Sequence, residues 1–376
     1  MRASRQLPLL LPLALAACGS APLATVLAPR PVATAVETTL WLIGDAGGAR
    51  ASGDPVLQAL ATELSPVSSH SVVVFLGDNI YPRGLPDSSS PALPEAVRRL
   101  DAQRDAGRQA GRVLFVPGNH DWAGRGSDGW DAIRRQGRYL AAGEGAELLP
   151  PDGCPGPSVV DVGTRLRLVL LDTQWWLHGG PRPGPGSSCS ADTPPEVIDR
   201  LRAALADPGA RHVVVVAHHP IVSTGPHGGR FDWKDHVFPL RHLVPWLWVP
   251  LPGIGSVYPA ARMLGVSPQD MANGRNERMR AAFDSAFAGR PPLVYAAGHE
   301  HALEVHRGAS ARFVLVSGAG TYGRSSSVGR RRGTLFARAA SGFMRLDLLT
   351  DGRVRLGVLT VDGTGRAEEV FAQWLE

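Results

Sequence analysis

The chain has 376 residues, a length that allows one large α/β domain with insertions or two domains. With 44% hydrophobic and 19% charged residues, disorder along the whole chain is excluded. The 44 glycines and 32 prolines demand many loops and short elements, and argue against a helical bundle or coiled coil. The formal net charge of +5 is carried almost wholly by arginine, Lys234 being the only lysine. These arginines are spread along the chain, and only Arg330, Arg331 and Arg332 form a run. No clustered basic stripe with interleaved aromatics is present, so no nucleic-acid-binding surface is evident. A mild positive field still favours anionic substrates.

Arg2 and Arg5 precede an apolar stretch over 7–17 that is too short to span a membrane as a mature helix. It ends in Leu15-Ala16-Ala17-Cys18-Gly19, which resembles the lipobox of bacterial lipoproteins. That resemblance implies a signal peptide over 1–17 and acylation of Cys18, which anchors the chain to a membrane without a transmembrane helix. An ordinary signal peptide with a chance cysteine is the alternative. Gly19 lacks the acidic retention signal of some Gram-negative lipoproteins. The implied location is therefore the cell envelope, lipid-anchored, with the outer membrane or a periplasm-facing position favoured. Residues 18–37, rich in Ala, Pro and Thr, read as a flexible tether. Export places Cys154 and Cys189, both in Pro/Gly/Ser-rich loops, in an oxidising compartment, and predicts a disulfide between them.

Short apolar runs then alternate with helical patterns. Strands are expected over 39–43, 72–76, 113–116, 166–171, 212–217 and 293–297. Helices are expected over 54–64, 95–108, 130–142, 196–206 and 278–287. Runs such as VVVFL and HVVVVA are continuous rather than alternating, as in strands covered on both faces. This is an α/β layered sandwich. From residue 311 the pattern becomes strands and tight turns, read as a C-terminal β layer over 311–376. Residues 221–275 interrupt the alternation with a Pro/Trp-rich insertion, of the kind that forms a lid. Its Trp246 and Trp248 either pack the insertion onto the core, the simpler reading, or touch lipid.

Five segments end strand candidates with metal-type ligands: Gly44-Asp45-Ala46-Gly47, Gly77-Asp78-Asn79-Ile80-Tyr81, Gly118-Asn119-His120-Asp121, Ala217-His218-His219 and Gly298-His299-Glu300-His301. Ligands at the C-terminal ends of strands in an α/β sheet converge on one crevice. Carboxylate, amide, phenol and imidazole together suit a hard-to-borderline metal pair rather than a thiolate site. Each segment alone is weak, but five in order are specific.

In these segments the chain resembles the calcineurin-like metallophosphoesterase superfamily, and within it the purple acid phosphatases, over roughly 39–310. The branch rests on two positions. The superfamily's usual Asp-x-His opening is missing, because Gly47 stands where the histidine would be, and Tyr81 follows Asp78 by three residues. The resemblance implies a four-layer α-β-β-α sandwich over 38–376. It implies a dinuclear centre of Fe(III) with Zn, Mn or Fe(II). Asp45, Asp78, Tyr81 and His301 would hold the first metal; Asp78, Asn119, His218 and His299 would hold the second. His120 would contact the phosphoryl group or protonate the leaving oxygen, with Asp121 either orienting it or solvated in its loop. His219, His227 and Arg230 are weaker candidates for substrate contact.

The implied reaction is phosphomonoester hydrolysis by a dinuclear-metal-bound hydroxide attacking phosphorus in line. A phosphodiesterase or nucleotide pyrophosphatase would use the same ligands. A non-catalytic envelope binding protein is the rival of another class, disfavoured because no ligand is missing. The physiological substrate and the oligomeric state are not legible.

Overall fold

A computed structural model describes residues 27–64, 71–124, 126–143, 145–242 and 246–376; the signal peptide and Cys18 lie outside them. Among the described residues the strands, in chain order, are β1 (Val36–Ile43), β2 (Ser71–Phe75), β3 (Arg112–Phe115), β4 (Ala146–Leu148), β5 (Ser158–Val162), β6 (Leu166–Leu170), β7 (His212–Val216), β8 (Val294–Ala297), β9 (Leu303–Arg307), β10 (Phe313–Ser317), β11 (Thr334–Arg338), β12 (Gly342–Leu349), β13 (Val354–Val361) and β14 (Ala367–Leu375). They form two seven-stranded sheets, ordered β14-β13-β12-β1-β2-β3-β4 and β11-β9-β10-β8-β7-β6-β5. In the first, β1, β2 and β3 are parallel, with Ile43 beside Phe75 and Phe75 beside Phe115. In the second, β6, β7, β8 and β10 are parallel, with Leu170 beside Val216 and Val216 beside Ala296.

The continuous apolar runs have the cause expected of them. Leu40, Leu42, Val72, Val74 and Leu114 point into one core against Leu168, Val214, Val216 and Ala296 of the other sheet. Their alternate neighbours point the opposite way. Trp41, Val73, Phe75 and Phe115 meet α1 (Pro55–Leu64), α2 (Leu93–Gly107) and α3 (Gly129–Ala142). The short α4 (Gln174–Leu177) follows β6. Val213, Val215, Tyr295 and Ala297 meet α5 (Pro194–Ala206) and α8 (Gly274–Phe287). The result is the four-layer α-β-β-α sandwich.

The C-terminal segment does not form a layer of its own. β10 and β11 complete the second sheet, while β12, β13 and β14 extend the first from the free edge of β1. That edge is where an antiparallel strand can follow without a crossover helix. The last residues of the expected tether are likewise part of the fold. Leu27 bridges Ala372 in parallel, and the buried Arg355 guanidinium donates to the Ala28 carbonyl. Cys154 and Cys189 form the expected disulfide, with Cα atoms 5.6 Å apart. The insertion contains α6 (Trp233–Val237) and α7 (Val257–Met263) and ends where α8 begins. No helix of the described residues is long and apolar enough to cross a membrane.

Candidate metal centre

Parallel register places the ends of β1, β2 and β3 level with one another, and those of β7 and β8 level across the core. The five predicted segments therefore meet at one end of the sandwich. Gly44 lets the two sheets close there, and Gly118 lets neighbouring loops of one sheet close. A Cβ on Gly44 would stand 2.9 Å from the Gly298 Cα, so only bare backbone fits between the sheets. A Cβ on Gly118 would stand 2.3 Å from Asp78 Oδ1. Asp45, Asp78 and His299 carry φ values of 60°, 54° and 67°. This left-handed backbone is costly for a side-chain-bearing residue and concentrates at functional turns.

The donors fall into two groups. Tyr81 Oη donates to Asp45 Oδ1 at 2.9 Å and lies 3.1 Å from His301 Nε2, which is 3.3 Å from Asp45 Oδ1. Across the crevice, His218 Nε2 is 3.1 Å from Asn119 Oδ1, 3.2 Å from His299 Nδ1 and 3.4 Å from Asp78 Oδ1. Donor atoms of Asp45, Asp78 and His218 all lie within 4.8 Å of one another, which joins the groups. All seven predicted ligands are thus brought together, with Asp78 between the two sets.

The donors fit a pair of cations. Burial opposes the Asp78 charge, yet His218, His120 and the His120 backbone N–H hold its carboxyl below the usual carboxylate range. Burial, Asp45 and Asp78 push the Tyr81 phenol well above its ordinary value, so phenolate forms there only in exchange for a positive ion. Burial and the surrounding imidazoles push His299 well below its ordinary value, leaving it neutral with a lone pair to give. His218 Nδ1 is fixed by the Leu76 carbonyl at 2.8 Å, which directs Nε2 inward.

His120 is partly exposed. Its Nδ1–H donates to the Pro82 carbonyl at 2.7 Å, and Nε2 lies 3.9 Å from Asp78 Oδ2. Asp121 does not orient it and is not solvated. Fully buried, Asp121 accepts from the backbone N–H groups of Gly118, Asn79 and Ile80 and from the Asn79 amide. It clamps the third segment to the second, a structural task that backbone donors near its short side chain impose. Burial and the Asp78 charge raise it to about 7.

The weaker substrate candidates separate. His219 is buried, and its ring nitrogens engage Thr173 Oγ1 at 2.9 Å and Gln269 Oε1 at 2.5 Å. It docks the insertion rather than meeting substrate. His227 packs against His299 with ring centroids 3.9 Å apart and the rings tilted by 42°, held by Asp270 and Arg262. Arg230 is exposed and lies beside Gly329, away from the donors.

Two residues that sequence reasoning missed belong to the site. Gln269 reaches in from the insertion, its carbonyl 3.3 Å from His299 Nε2. Arg324 lies with its guanidinium 3.7 Å from the Tyr81 ring centroid. Neither carries a local signal, because both arrive on long loops from distant parts of the chain.

Gly118→Ala tests the cradle. Its Cβ must displace Asp78, and metal affinity is expected to fall about 10–100-fold, as for changes that disturb ligand support. Titration of the metal-free protein with Zn(II), followed by calorimetry, checks this; unchanged affinity would mean that the loop yields freely.

Comparisons with known proteins bear on the fold and the family. Among solved structures, the chain is similar to GAP50, the anchor in the inner membrane complex of Plasmodium (TM-score 0.53, 16% identity, 91% of this chain and 89% of that one). It is also similar to purple acid phosphatase PPD1 from yellow lupin seeds (TM-score 0.54, 13% identity, 92% of this chain and 55% of that one). A third similar structure is PhoD (TM-score 0.54, 11% identity, 93% of this chain and 73% of that one). At these identities the likeness is one of fold, and the chain spans little more than half of the lupin enzyme. No curated protein matches. The model of the calcineurin-like phosphoesterase family matches residues 38–252, from β1 through the first half of the insertion, and the chain belongs to that family.

Proposed function

We propose that this chain is a phosphomonoesterase of the purple acid phosphatase kind, loaded with Fe(III) and a divalent Zn, Mn or Fe ion. The observation that carries the reading is Tyr81. Its phenol stands within 3.1 Å of both Asp45 and His301, while Gly47 leaves no imidazole at the position two residues after Asp45. An anionic phenolate beside a carboxylate favours a trivalent ion. When bound, the metal pair supplies an activated water and positive charge against the phosphoryl oxygens.

The chain's own residues do the rest. Asp45, Tyr81 and His301 would hold one ion, Asn119, His218 and His299 the other, and Asp78 stands where it would serve both. His120, with Nδ1–H committed to Pro82, keeps Nε2 on the crevice side, where in its protonated form it donates to the leaving oxygen. Arg324 adds a rim cation above Tyr81 for an anionic substrate. His227 and Gln269 cover His299 and keep bulk water off that side. The intact ligand set favours an enzyme over a non-catalytic binding protein.

Cys18 acylation is part of this proposal and rests on the 15–19 segment alone. It places the enzyme on the cell envelope, on the outer-membrane or periplasmic side.

Metal analysis with a visible spectrum of the purified protein, alongside turnover of p-nitrophenyl phosphate and its bis ester, tests the reading. We expect one iron and one divalent ion per chain, a broad visible band lost in Tyr81→Phe, and faster hydrolysis of the monoester. Faster hydrolysis of the bis ester would assign the chain to a phosphodiesterase instead.

A further inference from the structure

The insertion that was expected to pack onto the core exposes its apolar side chains instead. Leu264 is 81% exposed, Trp246 77%, Ile254 73% and Val266 70%, and Trp233, Trp248 and Val257 are exposed beside them. Elsewhere among the described residues, the exposed large apolar side chains are Leu27, Val32, Val159 and Tyr322, and of these Val32 alone reaches 70%. An apolar concentration of this kind on a water-facing surface marks an interaction site. The parts around α6 are joined. Phe238 lies 6.2 Å from Trp233 and 5.3 Å from Trp248 between ring centroids. The Leu251 N–H donates to the Val237 carbonyl, and the Gly255 N–H to the Leu251 carbonyl, tying the segment around Ile254 to α6.

Two observations choose the occupant. The first is chemical. Between Arg241 and Arg262 the chain has no Asp, Glu, Lys or Arg, while it carries Trp246 and Trp248. The flanking charges are spent within the insertion, Arg241 on Asp235 at 2.7 Å and Arg262 on Asp270 at 2.5 Å. Uncharged, tryptophan-bearing surface suits the boundary between lipid headgroups and acyl chains.

The second is the entry of the chain. β14 runs antiparallel to β1 through β12 and β13, so it starts at the metal-centre end. Leu27 pairs with Ala372 in parallel and therefore runs away from that end. Leu27, where the described chain begins, thus heads away from the end of the molecule that carries the insertion. Residues 19–26 reach about 30 Å at full extension, which keeps the domain close to any lipid on Cys18.

We propose that the exposed face of the insertion, centred on Trp246, Ile254 and Leu264, docks into the interface of the bilayer to which Cys18 is anchored. The docking and the acylation are separable, although the choice of a bilayer rests partly on the anchor reading. The face turns the site end towards the headgroups, so the lipid holds the domain at the surface and the insertion sets its orientation.

The test uses the chain from Gly19 onward, which keeps the whole described fold and lacks both the lipid attachment residue and the apolar leader. Its flotation with vesicles of phosphatidylethanolamine and phosphatidylglycerol is compared with that of the triple variant Trp246→Ser, Ile254→Ser, Leu264→Ser. We expect the parent to float with the vesicles and the variant to partition at least tenfold less, because three large apolar side chains are lost from the docking face. Hydrolysis of p-nitrophenyl phosphate should remain within twofold, because none of the three residues touches the metal donors. A parent that stays with the lipid-free fraction, or a variant that floats equally, overturns the proposal. So does a parent that sediments as a dimer dissociated by the same changes, which would make the face a contact between copies. Mass spectrometry of the cell-derived full chain reports Cys18 acylation separately, so an unacylated Cys18 removes the anchor while leaving the flotation result to decide the docking.

Discussion

Asp78→Asn is expected to remove bound metal and activity together. Asp78 is the carboxylate between the two donor groups, 3.4 Å from His218 Nε2 and within 4.8 Å of a donor on Asp45. Asparagine preserves the shape and tolerates the left-handed backbone at φ 54°. It can still accept the His120 backbone N–H that Asp78 Oδ1 accepts at 2.8 Å. What it lacks is the charge and the second anionic oxygen needed to serve two ions. Turnover should fall by at least about 10³-fold, the upper end of what one lost electrostatic contact costs, because both ions lose a ligand. Metal per chain should fall from two to one or none. The melting temperature of the metal-free protein should change little, since the backbone bond survives and a buried charge is removed. Full activity with two bound ions in this variant would defeat the ligand assignment.

How much of this was legible depended on whether the signal was local. Asp45, Asp78, Asn119, His218 and His299 each follow an apolar run directly, so strand and ligand are read from the same few residues, and parallel pairing does the gathering. Tyr81 and His301 were legible for the same reason, lying within a few residues of another ligand. Strands β9 and β14 escaped notice because acids break their apolar pattern, Glu304 fully buried and Glu369 half-buried. Glu304 in β9 is paid for by Thr224 and His306 at 2.6 and 2.8 Å, and Glu369 in β14 by the buried Arg355 at 2.6 Å. Thr224, 80 residues from Glu304, cannot be read from a window of sequence. Asp121 was misread through adjacency, since the neighbour of a catalytic histidine is a natural orienting group. In the fold the chain turns after Gly118, and the carboxylate finds Asn79 instead. The insertion was misread in the opposite sense: its tryptophans predict burial by type, and nothing in composition distinguishes a side chain that packs from one left for an external surface. Gln269 and Arg324 reach the site only through the path of their loops.

His120→Ala should leave both ions in place and lower kcat by about 10²–10⁴-fold, the usual worth of a positioned proton donor. The geometry separates this residue from the ligands. Its Nδ1–H is committed to the Pro82 carbonyl, its ring packs edge-on against Tyr81 with centroids 4.5 Å apart, and its Nε2 keeps 3.9 Å from Asp78. Removing the imidazole therefore strips no donor from either ion, and KM should move much less than kcat. Leaving-group dependence identifies what the imidazole does. p-Nitrophenolate departs readily without a proton, whereas an alkyl alkoxide needs one as the bond to phosphorus breaks. If His120 protonates the leaving oxygen, the variant loses more activity on an alkyl phosphate than on p-nitrophenyl phosphate, and the two rates diverge further in the variant than in the parent. An equal loss on both substrates would instead assign His120 to holding the phosphoryl oxygens, because that contact is made whatever group departs.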